Sequence, residues 1–207
     1  YAETYGHILT HTEPRHGPVH LDVGVDIETQ RETFYQVWLS THGLPDWEAQ
    51  AMAETAAAWP APPRFHLGMI VLPGHEAGLA ASYESLALQT PGIPWRLSVV
   101  VEQVPEGAAI AGVEWLPAGD SALATLNQAL LASDADWVGL IEAGDRLPPH
   151  ALFTLARHAL AHPDRQAWYS DEDLLDAEGN RQHPYFKPDL AVDWLRAAPF
   201  ALGGLLL

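Results

Sequence analysis

Short apolar runs recur along the chain from Phe65 onward, separated by stretches that carry apolar residues at helical spacing. Runs of this length bounded by turn residues are typical of buried strands. The predicted strands are Phe65 to Leu72, Trp95 to Val101, Ala109 to Leu116, Trp137 to Ile141 and Ala167 to Ser170. Because strands and helices alternate, the pattern predicts a three-layer α/β domain with a parallel-rich sheet.

Helices are predicted between these strands from apolar spacing and from boundary residues such as proline and N-cap side chains. They run from about Leu79 to Gln89, from Asp120 or Ser121 to Ala132, and from Pro148-Pro149 to His162-Pro163. Two further helices, Glu28 to Ser40 and Trp47 to Trp59 with Asp46 as N-cap, precede the first strand. Pro60, Pro62 and Pro63 then form a stiff connector.

The beginning of the chain gives a weaker pattern. Val19 to Ile27 alternates well enough for a strand. His7, His11 and His16 have a spacing that suggests metal ligation, but no acid or cysteine accompanies them, so an irregular surface segment is favoured. We therefore divide the chain into residues 1–28, an irregular or strand segment from the tail of a preceding domain, a helical lead-in over 29–64, and an α/β part over 65–207, incomplete at its C-terminus.

The net charge of the chain limits the classes of ligand and surface that it can bind. The 207 residues contain 10 Lys and Arg against 27 Asp and Glu, a formal net charge of −17. This balance argues against nucleic acid and against docking on anionic lipid through a basic surface. An anionic ligand must therefore meet a local positive site or a metal. The chain has no cysteine and no apolar run long enough to span a membrane, which fits a cytoplasmic location.

Two acidic clusters follow predicted strands. Glu142-Ala143-Gly144-Asp145 comes after the strand at Trp137, and Asp171-Glu172-Asp173 comes after the strand at Ala167. Ligands of open α/β sheets bind at the carboxyl ends of strands. Oxygen ligands there suggest Mg²⁺ or Mn²⁺ and a phosphate-bearing ligand. The alternative is that surface loops are simply acidic in an acidic protein.

Three ordered motifs carry a family resemblance. They are Pro149-His150-Ala151-Leu152, Tyr169-Ser170-Asp171-Glu172-Asp173 and Tyr185-Phe186-Lys187-Pro188-Asp189. Together with Tyr35-Gln36-Val37-Trp38 they resemble the family 2 glycosyltransferases, in the bacterial branch of O-antigen and rhamnan-type polysaccharide synthesis. The resemblance covers about residues 30 to 207. It implies a GT-A fold, the nucleotide-diphospho-sugar transferase type, with an N-terminal helical lead-in.

The resemblance also implies donor-binding positions. Glu102 stands where the family has an aspartate that holds the base of the donor. Pro73 alone remains of the motif after the first strand, and His75 follows it near the expected base pocket; His150 is the weaker candidate and more simply caps or packs its helix. Asn127 either supports that pocket or is an ordinary polar helix residue.

Further implied positions concern the diphosphate and the sugar. Glu142 and Asp145 face the ribose and the metal-bound diphosphate, and Asp171 and Asp173 face the donor sugar or the acceptor. Lys187, the single lysine of the chain, either faces donor phosphate or forms a salt bridge to the acidic loops.

The sequence departs from the family pattern at important positions. Gly144 replaces the aspartate that is the usual metal ligand, so Mn²⁺ or Mg²⁺ at Asp145 and Glu142 is expected to bind weakly. The family's catalytic base comes from an acidic motif further downstream, so no catalytic base is assigned in this chain. Trp194 and the Gly203-Gly204 pair either line the donor site or pack in the core.

The leading hypothesis is a glycosyltransferase-like domain of a longer polypeptide that binds a nucleotide-diphosphate sugar for cell-surface polysaccharide synthesis. We expect it in the cytoplasm, either free or at the inner face of the membrane, with no nucleic acid partner. An alternative is a degenerate, non-catalytic transferase domain that acts as a scaffold. A weaker alternative is carbohydrate binding through exposed members of the eight tryptophans.

Overall fold

The computed structural model describes residues 26–107, 109–190, 192–197 and 206–207. The chain divides into two compact units, one of residues 1–43 and 171–200 and the other of residues 44–170 and 201–207. Residues 19–25 of the expected first strand, the histidines at 7, 11 and 16, and the Gly203-Gly204 pair lie outside the described residues, as does the side chain of Trp194.

Helices and strands alternate through most of the described chain. The helices are α1 (Ile27–Thr41), α2 (Asp46–Ala57), α3 (Glu76–Ala87), α4 (Ala122–Leu131), α5 (Ala151–Ala161) and α6 (Val192–Ala197). The strands are β1 (Phe65–Ile70), β2 (Trp95–Val101), β3 (Val113–Pro117), β4 (Trp137–Leu140), β5 (Glu172–Leu175) and β6 (Arg181–Tyr185). The predicted α/β class with a helical N-terminal segment is confirmed.

The second unit is built on a four-stranded sheet with the order β3-β2-β1-β4, and each neighbouring pair is parallel. Phe65 of β1 is in register with Trp95 on one side and Trp137 on the other. The chain therefore moves outward from β1 to β3 and then returns to the opposite side of β1 as β4. That reversal creates a switch point between β1 and β4, where ligands of open α/β sheets bind.

One face of the sheet carries the main core. Alternate residues of β1, namely Phe65, Leu67 and Met69, are almost fully buried and join Leu86 of α3 and Leu152 of α5 in one cluster. Burial of each such side chain contributes about 1.5–3 kcal/mol relative to exposure. This contribution explains why the apolar runs predicted the central strands reliably.

Helix α4 packs on the opposite face of the sheet. A Cβ added to Gly68 of β1 would lie 2.7 Å from the Leu126 side chain, so Leu126 fills the space that glycine leaves open. Ser121 caps α4 by accepting a hydrogen bond from the Ala124 amide at 3.3 Å. Helices therefore lie on both faces of the sheet, which confirms the three-layer prediction.

A buried polar chain runs across the face beneath α4. His66 of β1 and Ser98 of β2 are fully buried, and the His66 Nε2 atom lies 2.8 Å from Ser98 Oγ. Ser98 in turn donates to Glu114 Oε2 at 3.0 Å. Burial and then the positive charge of Arg96 lower the pKa of His66 below its ordinary value. His66 is therefore held neutral in the folded chain.

The structure corrects the strand predicted over Ala167 to Ser170. Within this range only Trp168 makes a sheet-like bridge, to Leu206. The strand lies further on, at β5, which includes Glu172 and Asp173 and pairs antiparallel with β6. The second acidic cluster thus does not follow a parallel strand as predicted but starts a two-stranded hairpin.

Several predicted boundaries also move by a few residues. β1 ends at Ile70, β3 begins at Val113, and α3 begins at Glu76. Asp46 is the first residue of α2, while Pro45 occupies the N-cap position without a side-chain hydrogen bond. Ile27, expected at the end of a strand, begins α1 because Asp26 accepts a hydrogen bond from the Thr29 amide at 2.9 Å and so caps the helix.

The first unit packs α1 against the β5–β6 hairpin. Tyr35, the buried residue of α1, donates its hydroxyl to Asp173, which also accepts from Arg181. Arg31 donates to the Pro184 carbonyl at 2.5 Å and lies over the Phe186 ring. The motif from Tyr35 to Trp38 therefore lies in one small structural unit with Asp171 to Asp173 and with the motif from Tyr185 to Asp189.

Among the described helices, none combines the length and the apolar character needed to cross a membrane.

The buried His66 predicts a pH dependence of stability. Its folded pKa is depressed, so below an unfolded pKa of about 6.5 the unfolded chain binds a proton that the folded chain does not. The free energy of unfolding should fall as the pH drops from 7.5 to 5.5, and His66→Gln should reduce that fall by about 1 kcal/mol. Urea titrations at both pH values measure it.

His42→Gln is the matched control, because His42 is exposed at the end of α1. The change in its free energy of unfolding between the two pH values is the reference for His66→Gln. An equal pH dependence in wild type and His66→Gln would show that His66 is not the group responsible.

Candidate functional site

The candidate site lies at the switch point of the sheet. The segment after β1 contains Pro73 and His75, and the segment after the neighbouring β4 contains Glu142 and Asp145. Glu102 follows β2, the strand on the other side of β1. The parallel order therefore brings the ends of these three strands to one edge of the second unit.

Glu142 to Asp145 form a tight turn. The Asp145 amide donates to the Glu142 carbonyl at 3.0 Å, and the Glu142 amide donates to Asp145 Oδ2 at 2.8 Å. Gly144 has a φ of +112°, a conformation that residues with a side chain rarely adopt. Glycine is thus the residue that this turn geometry requires at position 144.

The start of α3 lies directly against this turn. A Cβ added to Gly78 would lie 2.6 Å from the carbonyl carbon of Ala143, so glycine is needed for the close approach. Ser82, one turn later, is fully buried and its Oγ accepts a hydrogen bond from the Gly144 amide at 2.9 Å. The same hydroxyl lies 3.3 Å from the Glu142 carbonyl oxygen. Helix α3 therefore holds the acidic turn through backbone contacts.

The contact between α3 and the loop after β4 continues beyond the turn. Ser85 Oγ accepts from the Leu147 amide at 3.2 Å. The buried Gln89 side chain donates to the Pro148 carbonyl at 2.9 Å and accepts from the Leu152 amide at 3.0 Å. Because Ser82, Ser85 and Gln89 recur at helical spacing, one face of α3 satisfies the backbone of the whole loop.

The other predicted donor-binding residues of this unit are exposed. Pro73, His75 and Glu102 lie in loops after strands, and Asn127 lies on the exposed part of α4. His75 occupies the N-cap position of α3 without a side-chain capping bond, while Glu76 accepts a hydrogen bond from the Gly74 amide at 3.1 Å. His150, the alternative histidine, occupies the N-cap position of α5.

The remaining predicted residues belong to the first unit. Asp171 Oδ1 accepts from the Lys187 amide at 2.8 Å, and Lys187 Nζ pairs with Glu172 Oε2 at 3.1 Å. The Lys187 side chain is fully buried, and Asp173 is bonded to Tyr35 and Arg181. Of the two interpretations of Lys187, the salt bridge is present in the structure, and its partner is Glu172 of the second acidic cluster.

Two features of this site were not predicted from the sequence. Ser82 and Ser85 hold the loop backbone. In the sequence they appear as a polar stripe on an otherwise apolar helix face, and that stripe could have indicated them. Arg146 directly follows the acidic turn, and its signal is a cation beside a cluster of acids in a chain with few cations.

Among the residues that the structure describes, no three His, Cys, Asp or Glu side chains lie close enough together to hold a metal ion.

Comparison with known proteins supports the resemblance. No protein-family profile matches the chain. The O-antigen biosynthesis protein RfbC of Myxococcus xanthus is 46% identical over 82 residues, which is 40% of this chain. An uncharacterized protein, y4gI, of Sinorhizobium fredii is 35% identical over 69 residues, 33% of this chain. The matched stretches span only 6% and 8% of the lengths of these relatives. The resemblance to the O-antigen branch is confirmed.

Solved structures give more distant likenesses. A crystal structure of S. aureus TarS aligns with a TM-score of 0.41 at 15% identity and covers 48% of this chain and 33% of that one. The mannosyltransferase PcManGT from Pyrobaculum calidifontis, in complex with GDP-Man and Mn²⁺, aligns with a TM-score of 0.39 at 18% identity and covers 64% of this chain and 44% of that one.

The close approach at Gly78 predicts an unusual response to alanine. Alanine normally stabilises a helix by about 0.5–1 kcal/mol relative to glycine. Gly78→Ala should instead destabilise the chain by about 1–3 kcal/mol, because the new methyl group meets the backbone of Ala143. Urea unfolding measures the change. Gly43→Ala, where the Cβ meets nothing within 4 Å, should stay within about 0.5 kcal/mol of wild type. A neutral or stabilising Gly78→Ala would contradict the described contact.

Proposed function

We propose that this chain is the donor-binding part of a glycosyltransferase that uses a nucleotide-diphosphate sugar in the synthesis of an O-antigen-type cell-surface polysaccharide. The observation that carries the proposal is the acidic turn, Glu142 to Asp145, fixed by α3 at the switch point of a parallel sheet. Crevices at this position bind ligands in open α/β sheets. The sequence relation to an O-antigen biosynthesis protein supports the same class of reaction.

In this proposal different residues of the second unit contact different parts of the donor. Glu102 accepts hydrogen bonds from the base, with Pro73 and His75 lining the same pocket and Asn127 supporting it. Glu142 and Asp145 lie at the ribose and the diphosphate. Their exposure leaves them accessible to a ligand that arrives from solvent.

We propose that Asp171 and Asp173 contact the donor sugar or the acceptor, and that Lys187 supports them. Their hydrogen bonds within the first unit limit that role, because Asp173 and Lys187 are already engaged by protein groups. A contact of the Asp171 carboxylate with a ligand would need only one of its oxygens, since the other accepts from the Lys187 amide. No residue of this chain is assigned as the catalytic base.

The divalent metal implied by the resemblance fits these residues poorly. Mg²⁺ requires a compact octahedron of oxygen ligands, and Mn²⁺ also favours oxygen. Gly144 supplies no carboxylate, and one oxygen of Asp145 is bonded to the Glu142 amide. The described residues therefore do not form a metal site by themselves.

Calorimetric titration with a panel of nucleotide-diphosphate sugars tests the proposal. We expect saturable binding of sugars that share one nucleotide base. Glu102→Ala should weaken this binding about tenfold, since a hydrogen bond to a charged group contributes about 1.5–3 kcal/mol. Each titration is run with and without Mn²⁺, so that a metal-dependent donor is also detected.

Glu106→Ala is the matched control, because Glu106 is another exposed glutamate of the loop after β2. It should bind the donor as wild type does. If the folded chain bound no nucleotide-diphosphate sugar with or without Mn²⁺, the donor-binding proposal would be wrong and the non-catalytic scaffold would take its place.

A further inference from the structure

The cations of this chain are almost all engaged by protein groups. Nine of the ten Lys and Arg residues lie in the described part of the chain. Eight of these nine form an ion pair, a hydrogen bond or a contact with an aromatic ring: Arg31, Arg64, Arg96, Arg157, Arg165, Arg181, Lys187 and Arg196. Arg146 is the ninth, and it makes no such interaction with any residue that the structure describes.

Arg146 also occupies a fixed place at the candidate site. It directly follows Asp145 of the acidic turn at the carboxyl end of β4. The backbone on both sides of it is held by α3, because the Gly144 amide donates to Ser82 and the Leu147 amide donates to Ser85. The side chain of Arg146 is exposed, so a rigid backbone presents a solvent-accessible guanidinium at this edge of the sheet.

The charge of the site makes this position important. A nucleotide diphosphate is strongly anionic, whereas the chain carries a formal net charge of −17 and the turn itself contributes Glu142 and Asp145. Without a compensating positive charge, the approach of the diphosphate to this edge would be unfavourable. The described residues do not assemble a metal site that would supply it.

Arginine suits this task because its guanidinium is always protonated and can donate two parallel hydrogen bonds to phosphate oxygens. We propose that Arg146 is a donor-binding residue that contacts the diphosphate and supplies the positive charge that a metal ion provides in related sites. This inference rests on the proposed donor-binding function, and it assigns the diphosphate to a residue that the sequence motifs did not indicate.

Titrations of the 207-residue chain with the nucleoside diphosphate of each donor in the calorimetric panel, UDP and GDP among them, test the inference. For the nucleotide that binds wild type, Arg146→Ala should weaken binding about tenfold or more, as expected for the loss of charge-assisted hydrogen bonds. The affinity of Arg146→Lys should lie between those of wild type and Arg146→Ala. Lysine keeps the positive charge but lacks the planar guanidinium that donates two parallel hydrogen bonds. Raising the salt concentration should weaken wild-type binding more than Arg146→Ala binding.

Arg165→Ala is the matched control, since Arg165 is exposed in the same unit and pairs only with its neighbour Asp164, at 3.8 Å, among the described residues. It should bind the nucleotide as wild type does. Circular dichroism and urea unfolding should show that Arg146→Ala folds normally, because the side chain is exposed and makes no described contact.

The possible results distinguish a wrong role for Arg146 from a wrong donor-binding function. Wild type that binds one of these nucleoside diphosphates while Arg146→Ala binds it equally well overturns the role of Arg146 and leaves the donor-binding proposal intact. Binding that requires Mn²⁺ and is insensitive to Arg146 has the same meaning, with a metal carrying the charge. Folded wild type that binds none of these nucleoside diphosphates and none of the nucleotide-diphosphate sugars of the panel overturns the donor-binding proposal, and the role of Arg146 with it.

Discussion

The hydrogen bonds between α3 and the loop after β4 are the constraint on which the candidate site depends. A loop that runs against a packed helix has backbone amides and carbonyls that water cannot reach, and each must find a partner in the protein. Ser82, Ser85 and Gln89 provide those partners along one face of α3. These hydrogen bonds define the path of the loop, and those of Gly144 and Asp145 define the acidic turn. Such preorganisation lowers the cost of binding.

Gly144 has two effects on the turn. It supplies no carboxylate, and it permits the positive φ that closes the turn. The carboxylate of Asp145 accepts a hydrogen bond from the Glu142 amide. The turn therefore has a defined backbone shape, and one of its carboxylate oxygens is already bonded within the protein. Under the donor-binding proposal, an anionic diphosphate at this edge of a strongly acidic chain needs a compensating cation, and we propose Arg146 for that role.

The two central strands, β1 and β2, could be predicted from sequence because they are buried on both faces and are rich in apolar residues, as in Val99 to Val101. Strand β5 could not, because it consists of Glu172 to Leu175 and is stabilised by Tyr35 from a distant part of the sequence and by Arg181 of β6. At the site, motif order placed Glu142 and Asp145 at the end of a strand. The hydrogen bonds of Ser82 and the isolation of Arg146 among the described residues depend on which helix packs on which loop, and no local pattern contains that information.

The most direct test of this account is to map nucleotide binding onto individual backbone amides by NMR. We expect the nucleoside diphosphate that binds the chain to shift the amide resonances of residues 72–78 and 142–147 and of Glu102, at the carboxyl edge of the parallel sheet. Amides at the opposite edge, such as those of Arg64 and Asp136, should not move. Shifts confined to that opposite edge, or no shifts at saturating nucleotide, would contradict the assignment of this edge as the donor site.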